Sequence, residues 1–498
     1  MASSVVSRAA GLGALTAAGQ IVILGSLPTY SRVFDPGPYG EYLIFVGAAA
    51  VVSVFAGLRY DFAIVLPRDD MTASRLSALV MFIALGVGAV IAGCTLTTQT
   101  FEWAHGGWLR ILPDLGYGLA AATVLGGAQR CLSSWCIRST RFFLMGLALF
   151  IFSLMTVIAQ LSLVRLTAQL PALIWGYVCA LGVQTLWLAA FSGRADGSRW
   201  RRAMSYRGLR FVALKYRRFP KYMVGYALAS SARDRLVQIM LGLGAGAAVV
   251  GRFGMAYRVA FAPNSLIYSA ISPIFFGIAS RGSRAAVGRF AAGLVEAAFV
   301  VMVVPYVAFA IEAPAITDTL LSFKWRGTGP YLQALAGPAL LLAATCWLDR
   351  AFDSFRRQKV AFALEASFTS ISVVLVAILS HYVSPISVAW SFALVAIAYY
   401  WIYFLMTFVA CEFPLADFRR ACVTGLLSLA AALCLGAAAH QIPALYLRLP
   451  SYAVLMAAVL IWWVRLRGGA DVLRLLMRSR VAGRGASGAE PLISDRSV

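Results

Sequence analysis

Long apolar runs separated by short polar segments dominate the pattern of this sequence. A helix needs ~20 mostly apolar residues to cross a membrane. Fourteen such runs follow one another, at roughly 9–31, 41–58, 76–98, 114–134, 142–163, 170–192, 222–243, 250–276, 290–311, 331–349, 361–381, 385–410, 421–440 and 446–465. The first run continues to helix length, which favours a retained helix over a cleaved signal peptide. The pattern predicts an all-α polytopic membrane protein with about fourteen spans and no separate soluble domain.

The composition excludes a water-soluble protein of this length. Hydrophobic residues make up 61% of the 498 residues, charged residues only 13%, and the mean hydropathy is +0.80. A soluble domain carries about 25% charged residues, so this chain lacks the polar surface to face water. The eight cysteines are scattered without a C-x-x-C pair. This arrangement predicts neither disulfides nor a metal site, and no cofactor is indicated.

The charge is strongly cationic, with 43 Lys and Arg against 20 Asp and Glu and a net charge of +23. If the N-terminus lies in the cytoplasm, the inner segments hold 33 cations and the outer segments hold six. Cytoplasmic loops of membrane proteins carry an excess of Lys and Arg, so this bias predicts that both termini are cytoplasmic. Three of the remaining four cations, Arg233, Arg235 and Arg258, fall inside the seventh and eighth runs.

The stretch 194–221 is rich in arginine and separates the sixth run from the seventh. One interpretation is a surface helix on the cytoplasmic leaflet, where each Lys or Arg gains ~1 kcal/mol from anionic lipid. The other is a solvated basic linker, and nucleic-acid binding is not expected. A second basic piece, 472–480, precedes a Gly/Ser-rich end that is predicted to be disordered. The apolar side of the linker helix would consist of Trp200, Met204, Phe211, Val212 and Leu214.

The seventh run carries Arg233, Asp234 and Arg235 near its centre. Each such residue costs ~2.5–3.5 kcal/mol at mid-membrane, so this helix needs polar partners or a water-filled cavity. Ser230 and Gln238 lie one turn on either side of Asp234 and extend the polar patch. Ionisable residues inside a membrane are candidate functional residues. The alternative is structural, with Arg and Asp pairing to lock helices together.

The eighth run carries a polar stripe of Arg258, Ser265, Ser269 and Ser272, at spacings of seven, four and three. These spacings place the four residues on one helical face, beside Asn264. Either the stripe lines an interior cavity or its serines serve helix packing. Arginine offers a rigid fork that holds phosphate groups bidentately. An arginine-lined cavity therefore favours an anionic substrate, such as a pyrophosphate head group, over a cationic drug.

Two further acids, Glu296 and Glu365, fall inside predicted spans. They are candidates for ion coupling in a transporter, and the alternative is that each pairs with a neighbouring cation. His105, His381 and His440 fall near the outer face and are interpreted as interfacial. No P-loop is present, so direct ATP coupling would need another subunit. The short outer loops argue against an enzyme such as a polysaccharide polymerase or ligase.

Two segments resemble a known family. The stretch 58–70, LRYDFAIVLPRDD, is similar to the block after the second helix of bacterial polysaccharide flippases, and 219–278 resembles their seventh and eighth helices. The family is the Wzx-type oligosaccharide flippases of the multidrug/oligosaccharidyl-lipid/polysaccharide (MOP) exporter superfamily. A faint internal repeat, Gly40-Glu41-Tyr42 and Gly251-Arg252-Phe253, is separated by six runs, and six-helix repeats are one way to build a transporter.

The resemblance implies two six-helix lobes and two trailing helices. The implied divisions are 1–192 for the N-lobe, 193–221 for a basic cytoplasmic linker, 222–410 for the C-lobe, 421–465 for helices 13 and 14, and 466–498 for a basic tail. It also implies a cationic central cavity worked by alternating access. The cavity residues would be Arg59, Asp61, Arg233, Asp234, Arg235 and Arg258, joined by Ser265 and Ser269 from the stripe.

The function that the resemblance implies is flipping of undecaprenyl-pyrophosphate-linked oligosaccharide repeat units across the bacterial inner membrane. The expected partners are the polyprenyl-pyrophosphate-linked substrate, anionic lipid at 194–221, a polysaccharide polymerase and a chain-length regulator. The alternative is a cation-coupled multidrug exporter of the same superfamily, which would need an acidic cavity. The arginine excess inside the seventh and eighth runs argues against that alternative.

Overall fold

The computed structural model describes residues 2–67, 69–100, 112–191, 203–217, 219–279, 282–442 and 445–466, which contain no strand. The first half forms α1 (Ala2–Gly25), α2 (Leu27–Val33), α3 (Pro36–Phe55), α4 (Asp70–Thr100), α5 (Leu112–Arg138), α6 (Phe142–Leu163), α7 (Gln169–Phe191), α8 (Tyr206–Lys215) and α9 (Val224–Ala245). The second half forms α10 (Ala247–Ala279), α11 (Arg284–Leu320), α12 (Gly329–Thr345), α13 (Asp349–Ser354), α14 (Gln358–Leu379), α15 (Pro385–Ala410), α16 (Leu415–His440) and α17 (Leu445–Leu466).

Nine stretches of helix among the described residues are long and apolar enough to cross a membrane: α3, α4, α6, α7, α11, α12 with α13, α14, α15 and α16. The other five predicted runs are helical too, as α1, α5, α9, α10 and α17. In α4, α6 and α14 only 22%, 17% and 22% of the apolar window is buried within the protein. Apolar helices with such exposed faces suit a lipid environment. The prediction of an all-α polytopic membrane protein is confirmed.

Contacts within the described residues divide the chain into two compact units. The first is Arg8–Gly251, and the second comprises Arg252 onward together with the first seven residues. Helix α9 packs against α3 and belongs to the first unit. The unit boundary therefore falls at Gly251, whereas the lobe boundary implied by the resemblance falls in the linker 193–221. The difference concerns α9, the helix that carries Arg235.

The first turns of α3 and α10 meet in the first unit at the two glycines of the faint repeat. A Cβ at Gly40 would overlap the carbonyl oxygen of Ala247, and a Cβ at Gly251 would overlap that of Pro36. The contact is reciprocal, because Ala247 and Pro36 each lie four residues before the glycine of their own helix and each meets the glycine of the other helix. Only glycine lets two helix backbones approach this closely. The Gly-x-aromatic repeat therefore marks a helix crossing.

Helix α11 is the central element of the second unit, where it packs against α12, α16 and α17. Its 37 residues include Pro305 and Pro314, which lie inside the helix. The hydroxyl of Tyr306 lies 2.8 Å from the Ala260 carbonyl oxygen and 2.9 Å from Asn264 Oδ1, and so joins α11 to α10. Buried polar groups of this kind must be hydrogen-bonded to be tolerated.

Candidate functional site

A strained turn carries the first of the predicted site residues. The chain leaves α3 at Phe55 and enters a 3-10 helix, Tyr60–Val65, through Leu58 and Arg59. Both linking residues have a left-handed backbone, with φ of 43° at Leu58 and 60° at Arg59. Such conformations are unfavourable for residues other than glycine and cluster at functional sites. The left-handed backbone sets the direction in which the Arg59 side chain leaves the chain. The Cζ atom of Arg59 lies 5.5 Å from the centre of the Phe62 ring.

Asp61, two residues later, is a buried carboxylate with an exposed fraction of 5%. Burial raises the pKa of Asp61, and the nearby charges of Arg130 and Arg59 oppose that rise. Burial likewise lowers the pKa of Arg59, and Asp61 opposes this change. The carboxylate and the two guanidinium groups therefore form one electrostatic cluster. The structure brings the predicted residues Arg59 and Asp61 together.

Arg130 belongs to this cluster although the sequence interpretation counted it only as a cytoplasmic cation. It lies on α5 and interacts electrostatically with Asp61, Arg59 and Tyr177. Its Nη2 atom is buried and has no hydrogen-bond partner among the described residues. A buried donor without a partner is costly. Arg130 lies within the fourth predicted span, four residues before its end. This position inside a span could have identified Arg130 as a candidate site residue from the sequence.

Tyr177 on α7 links Arg130 to Arg235. The charges of both arginines act on its hydroxyl. Its ring is held by aromatic neighbours, with ring centres 6.0 Å away at Phe45 and 5.6 Å away at Phe152. Edge-to-face packing of this kind fixes a ring without needing a polar partner. The aromatic neighbours therefore hold the Tyr177 ring, and the charges of Arg130 and Arg235 both act on its hydroxyl.

Arg235 lies on α9, where this helix packs against α3. A Cβ placed on Gly47 would lie 3.7 Å from the Arg235 Cβ, an ordinary contact distance, so Arg235 packs against Gly47 of α3. The side chains of Arg233 and Asp234 lie outside the described residues. Gln238, one turn further along α9, is 3% exposed, and its Oε1 atom lacks a hydrogen-bond partner in the described part of the chain. Of the polar patch predicted in the seventh run, the structure describes the side chains of Arg235 and Gln238.

The cluster of Arg59, Asp61, Arg130, Tyr177 and Arg235 is hereafter called the arginine cluster. It contains three guanidinium groups for one carboxylate, all within the first unit. Guanidinium groups with spare donors bind phosphate and carboxylate oxygens by charge-assisted hydrogen bonds. With more guanidinium groups than carboxylates, the arrangement suits a multivalent anion.

The polar stripe of α10 lies in the second unit and is partly structural. Helix α10 runs unbroken through Asn264, whose Nδ2 donates to the Ala339 carbonyl oxygen at 3.3 Å. The Ser265 hydroxyl donates to the carbonyl of Ala262 in its own helix at 3.0 Å. Arg258 is partly buried, and the side chain of Ser269 lies outside the described residues. Asn264 thus ties α10 to α12, whereas Ser265 bonds within α10.

The end of the stripe meets a network that the sequence did not reveal. Arg350, at the start of α13, donates through Nε to the Ser272 hydroxyl at 3.1 Å and through Nη2 to the Tyr268 hydroxyl at 2.7 Å. The same tyrosine donates to Asp349 Oδ2 at 3.1 Å. The sequence interpretation counted Arg350 only as a cytoplasmic cation, because no spacing along one helix connects it to Ser272. Arg350 also forms ion pairs with Asp349 at 3.9 Å and with Asp353 at 3.3 Å.

The two candidates for ion coupling have partners. Glu296 on α11 is 1% exposed, and Arg420 Nε on α16 donates to its Oε1 at 2.9 Å. Glu365 on α14 accepts a hydrogen bond from the Tyr399 hydroxyl of α15 at 2.6 Å. The Glu296 geometry is that of the alternative interpretation, a buried acid paired with a neighbouring cation. The Glu365 geometry is a carboxylate held by a tyrosine.

A third buried acid, Glu312, lies on α11, one residue beyond the end of the ninth predicted run. It is 1% exposed and lies 2.7 Å from His440 Nδ1 and 2.8 Å from Arg448 Nη1. The Tyr452 hydroxyl is 3.4 Å away. These contacts join α11 to α16 and α17, the two trailing helices. The sequence interpretation treated His440 as interfacial, because only the folded chain brings it to Glu312.

Comparison with known structures defines the fold. The lipid II flippase MurJ in an inward closed conformation superposes with a TM-score of 0.66 at 12% identity, covering 93% of this chain and 99% of that one. An inward-facing multidrug resistance MATE family transporter of the MOP superfamily gives 0.58 at 15% identity, with coverage of 80% and 94%. The Vibrio cholerae MATE transporter VcmN in its bent form gives 0.51 at 14% identity, with coverage of 84% and 99%.

The chain therefore has the fold of MOP superfamily transporters. At 12–15% identity the likeness shows the fold alone. No family model matches the sequence. No curated protein matches it by sequence.

Proposed function

We propose that this protein is a flippase that moves polyprenyl-pyrophosphate-linked oligosaccharide repeat units across a bacterial inner membrane by alternating access. The observation that carries the proposal is the arginine cluster, in which Arg59 and Arg130 act on one buried carboxylate and Arg235 acts, with Arg130, on Tyr177. In a fold shared with a lipid II flippase, such a cluster suits the pyrophosphate of a lipid-linked sugar. The substrate, a polysaccharide polymerase, a chain-length regulator and cytoplasmic termini all belong to this proposal.

The mechanism follows from where charge and apolar surface lie. The pyrophosphate accepts hydrogen bonds from Arg59, Arg130 and Arg235, which repays the cost of taking its charge out of water. Asp61 competes with the ligand for the same guanidinium groups and keeps binding weak enough to release. The polyprenyl chain stays in lipid, against the exposed apolar faces of the spans. Arg233 and Asp234, which precede Arg235 in the sequence of α9, are proposed to belong to the same cationic site. Arg258 lies in the second unit and is a separate candidate.

A second candidate is a cation-coupled multidrug exporter, because MATE transporters share the fold. That function needs an acidic cavity to hold a cationic drug. In the described residues, the deeply buried acids Glu296 and Glu312 each lie in contact with an arginine. Each of these two acids is thus neutralised by a cation, whereas the arginine cluster holds three cations for one acid, and the flippase is favoured.

The test is transport of a defined probe by the purified full chain in proteoliposomes. The probe is a fluorescently labelled polyprenyl-pyrophosphate disaccharide, and accessibility to an external quencher reports flipping. We expect Arg59→Ala and Arg235→Ala each to lower the flipping rate at least tenfold, because each removes charge-assisted hydrogen bonds worth ~1.5–3 kcal/mol.

Arg326→Ala is the matched control, since Arg326 is exposed and outside the cluster; it should flip at the unaltered rate. Normal flipping by both cluster variants would overturn the site. Uptake of ethidium by the unaltered protein, with no movement of the pyrophosphate probe, would instead establish the exporter.

A further inference from the structure

The short helix α8 lies in the basic linker and is fixed to the first unit by one face. Val212 is fully buried in a core with Ala73 and Leu76 of α4. A Cβ on Gly208 would lie 2.8 Å from Arg75 Nε, so the helix sits directly on the first turns of α4. Val212 was expected on the exposed apolar side of this helix, and the structure buries it inside the protein instead.

The opposite face of α8 is apolar, aromatic and open. Tyr206, Phe211 and Leu214 are exposed at 77%, 52% and 58%. Lys215 Nζ lies 5.5 Å from the centre of the Phe211 ring, in a cation–π arrangement. An open concavity of about 670 Å³ is lined by Phe211, Leu214, Lys215 and Arg217. This set of four residues is hereafter called the α8 surface.

The charge around the α8 surface has one sign. The segment 203–217 contains Arg207, Arg210, Lys215 and Arg217 and no Asp or Glu. These four cations are all exposed. The acid that acts on Lys215 is Asp69, an exposed residue just before α4. A cationic surface with exposed aromatic and aliphatic side chains complements a ligand that is both anionic and apolar.

The position of α8 matches the boundary of a membrane. The helix packs on the first turns of α4, whose candidate span begins at Asp70. Arg138, the last residue of α5, donates to the Pro67 carbonyl oxygen and to Asp70 Oδ1, so α5 ends at the same level. Surface helices with cations and exposed aromatics lie at the headgroup level of a bilayer.

We propose that the α8 surface binds an anionic phospholipid, with the headgroup phosphate on Lys215 and Arg217 and the start of an acyl chain against Phe211 and Leu214. Each cation near an anionic headgroup favours binding by roughly fivefold. The site is connected to the arginine cluster, because the Tyr60 hydroxyl donates to the Ala213 carbonyl oxygen of α8 at 3.0 Å. Bound lipid thus steadies the turn that carries Arg59.

The test measures lipid binding by the purified full chain in neutral detergent and needs no transport. The probes are fluorescent short-chain phosphatidylglycerol and phosphatidylcholine with the same acyl chains. We expect tighter binding of phosphatidylglycerol, and a loss of roughly 25-fold in its affinity for the double variant Lys215→Gln with Arg217→Gln. The control pair Arg326→Gln with Arg419→Gln removes the same charge from exposed sites elsewhere and should leave affinity unchanged.

Phe211→Ser with Leu214→Ser should weaken both lipids, because the acyl contact is shared. Equal affinity for the two lipids would overturn the proposal, as would an equal loss in the control pair. Displacement of the lipid by millimolar inorganic phosphate would show a simple anion site. Dissociation of an oligomer by the Lys215/Arg217 pair, with lipid affinity unchanged, would identify the surface as a contact between copies.

Discussion

Asp61 in the first unit and Glu296 in the second are both buried carboxylates near arginine, but they differ in how their charge is met. Glu296 accepts a hydrogen bond from Arg420 at 2.9 Å. The charges of Arg59 and Arg130 act on Asp61, but Asp61 makes no ion pair with a described residue. The Glu296 pair is complete, whereas the cluster around Asp61 has guanidinium groups to spare. Compensated charge holds helices together, and uncompensated charge is available to a ligand.

The largest expected effect breaks the complete pair. Arg420→Gln leaves the carboxylate of Glu296, which is 1% exposed, without its cation and should lower the free energy of unfolding by about 3 kcal/mol or more. Thermal unfolding of the purified protein measures this change. Flipping per folded molecule should stay near the unaltered value, because the pair is structural.

The double variant Glu296→Gln with Arg420→Gln should recover part of that stability, as a double-mutant cycle requires for a true pair. Full stability of Glu296→Gln combined with lost transport would instead assign proton coupling to Glu296.

A second prediction concerns the residue of the cluster that the sequence did not identify. Arg130→Gln removes a buried cation and should reduce flipping of the labelled pyrophosphate probe about tenfold or more, since a charge-assisted hydrogen bond is worth ~1.5–3 kcal/mol. Thermal stability should change little or rise, because Arg130 Nη2 has no partner among the described residues. Arg138→Gln provides the contrast, as Arg138 is paired with Asp70 and its loss should destabilise the protein.

The smallest expected effect is a pH dependence of anion affinity. Burial raises the pKa of Asp61 above its usual range. As pH falls through that raised pKa, Asp61 becomes neutral and stops competing for Arg59 and Arg130. Affinity for inorganic pyrophosphate should therefore rise a few-fold on acidification, measured by titration calorimetry. Asp61→Asn mimics the neutral acid and should bind tightly with a flatter pH profile; an unchanged profile would remove Asp61 from the site.

Much of the fold could be predicted from the sequence. The lengths of the apolar runs predicted each helix, because a segment that spans a membrane must form its backbone hydrogen bonds within itself. Boundaries drifted by several residues: the ninth run, 290–311, became Arg284–Leu320. The block 58–70 pointed to Arg59 and Asp61, and the structure places them together. Their left-handed turn had no signal in the sequence, because neither Leu58 nor Arg59 is a residue that favours it.

The predicted site was recovered less completely. Arg130 and Arg350 were counted as loop cations, since a sequence assigns charge to a side of the membrane and cannot show which helices meet there. His440 and Glu312 are 128 residues apart and are joined only by tertiary contact. Ser265 matched the stripe by spacing, but its hydroxyl bonds within its own helix. Helical periodicity predicts which residues share one face of a helix, but it does not predict which residues that face contacts.

The sequence by itself determined the solvent of this protein and the sign of its interior charge. An apolar chain of this kind must fold as an all-α membrane protein, because lipid does not tolerate exposed backbone. The arginines inside the seventh and eighth runs predict a cationic interior. Only the tertiary structure decided which arginines are free to act. Pairing depends on distances between residues far apart in the chain. Among the described residues, those distances give Glu296 an arginine partner and leave Arg130 Nη2 without one.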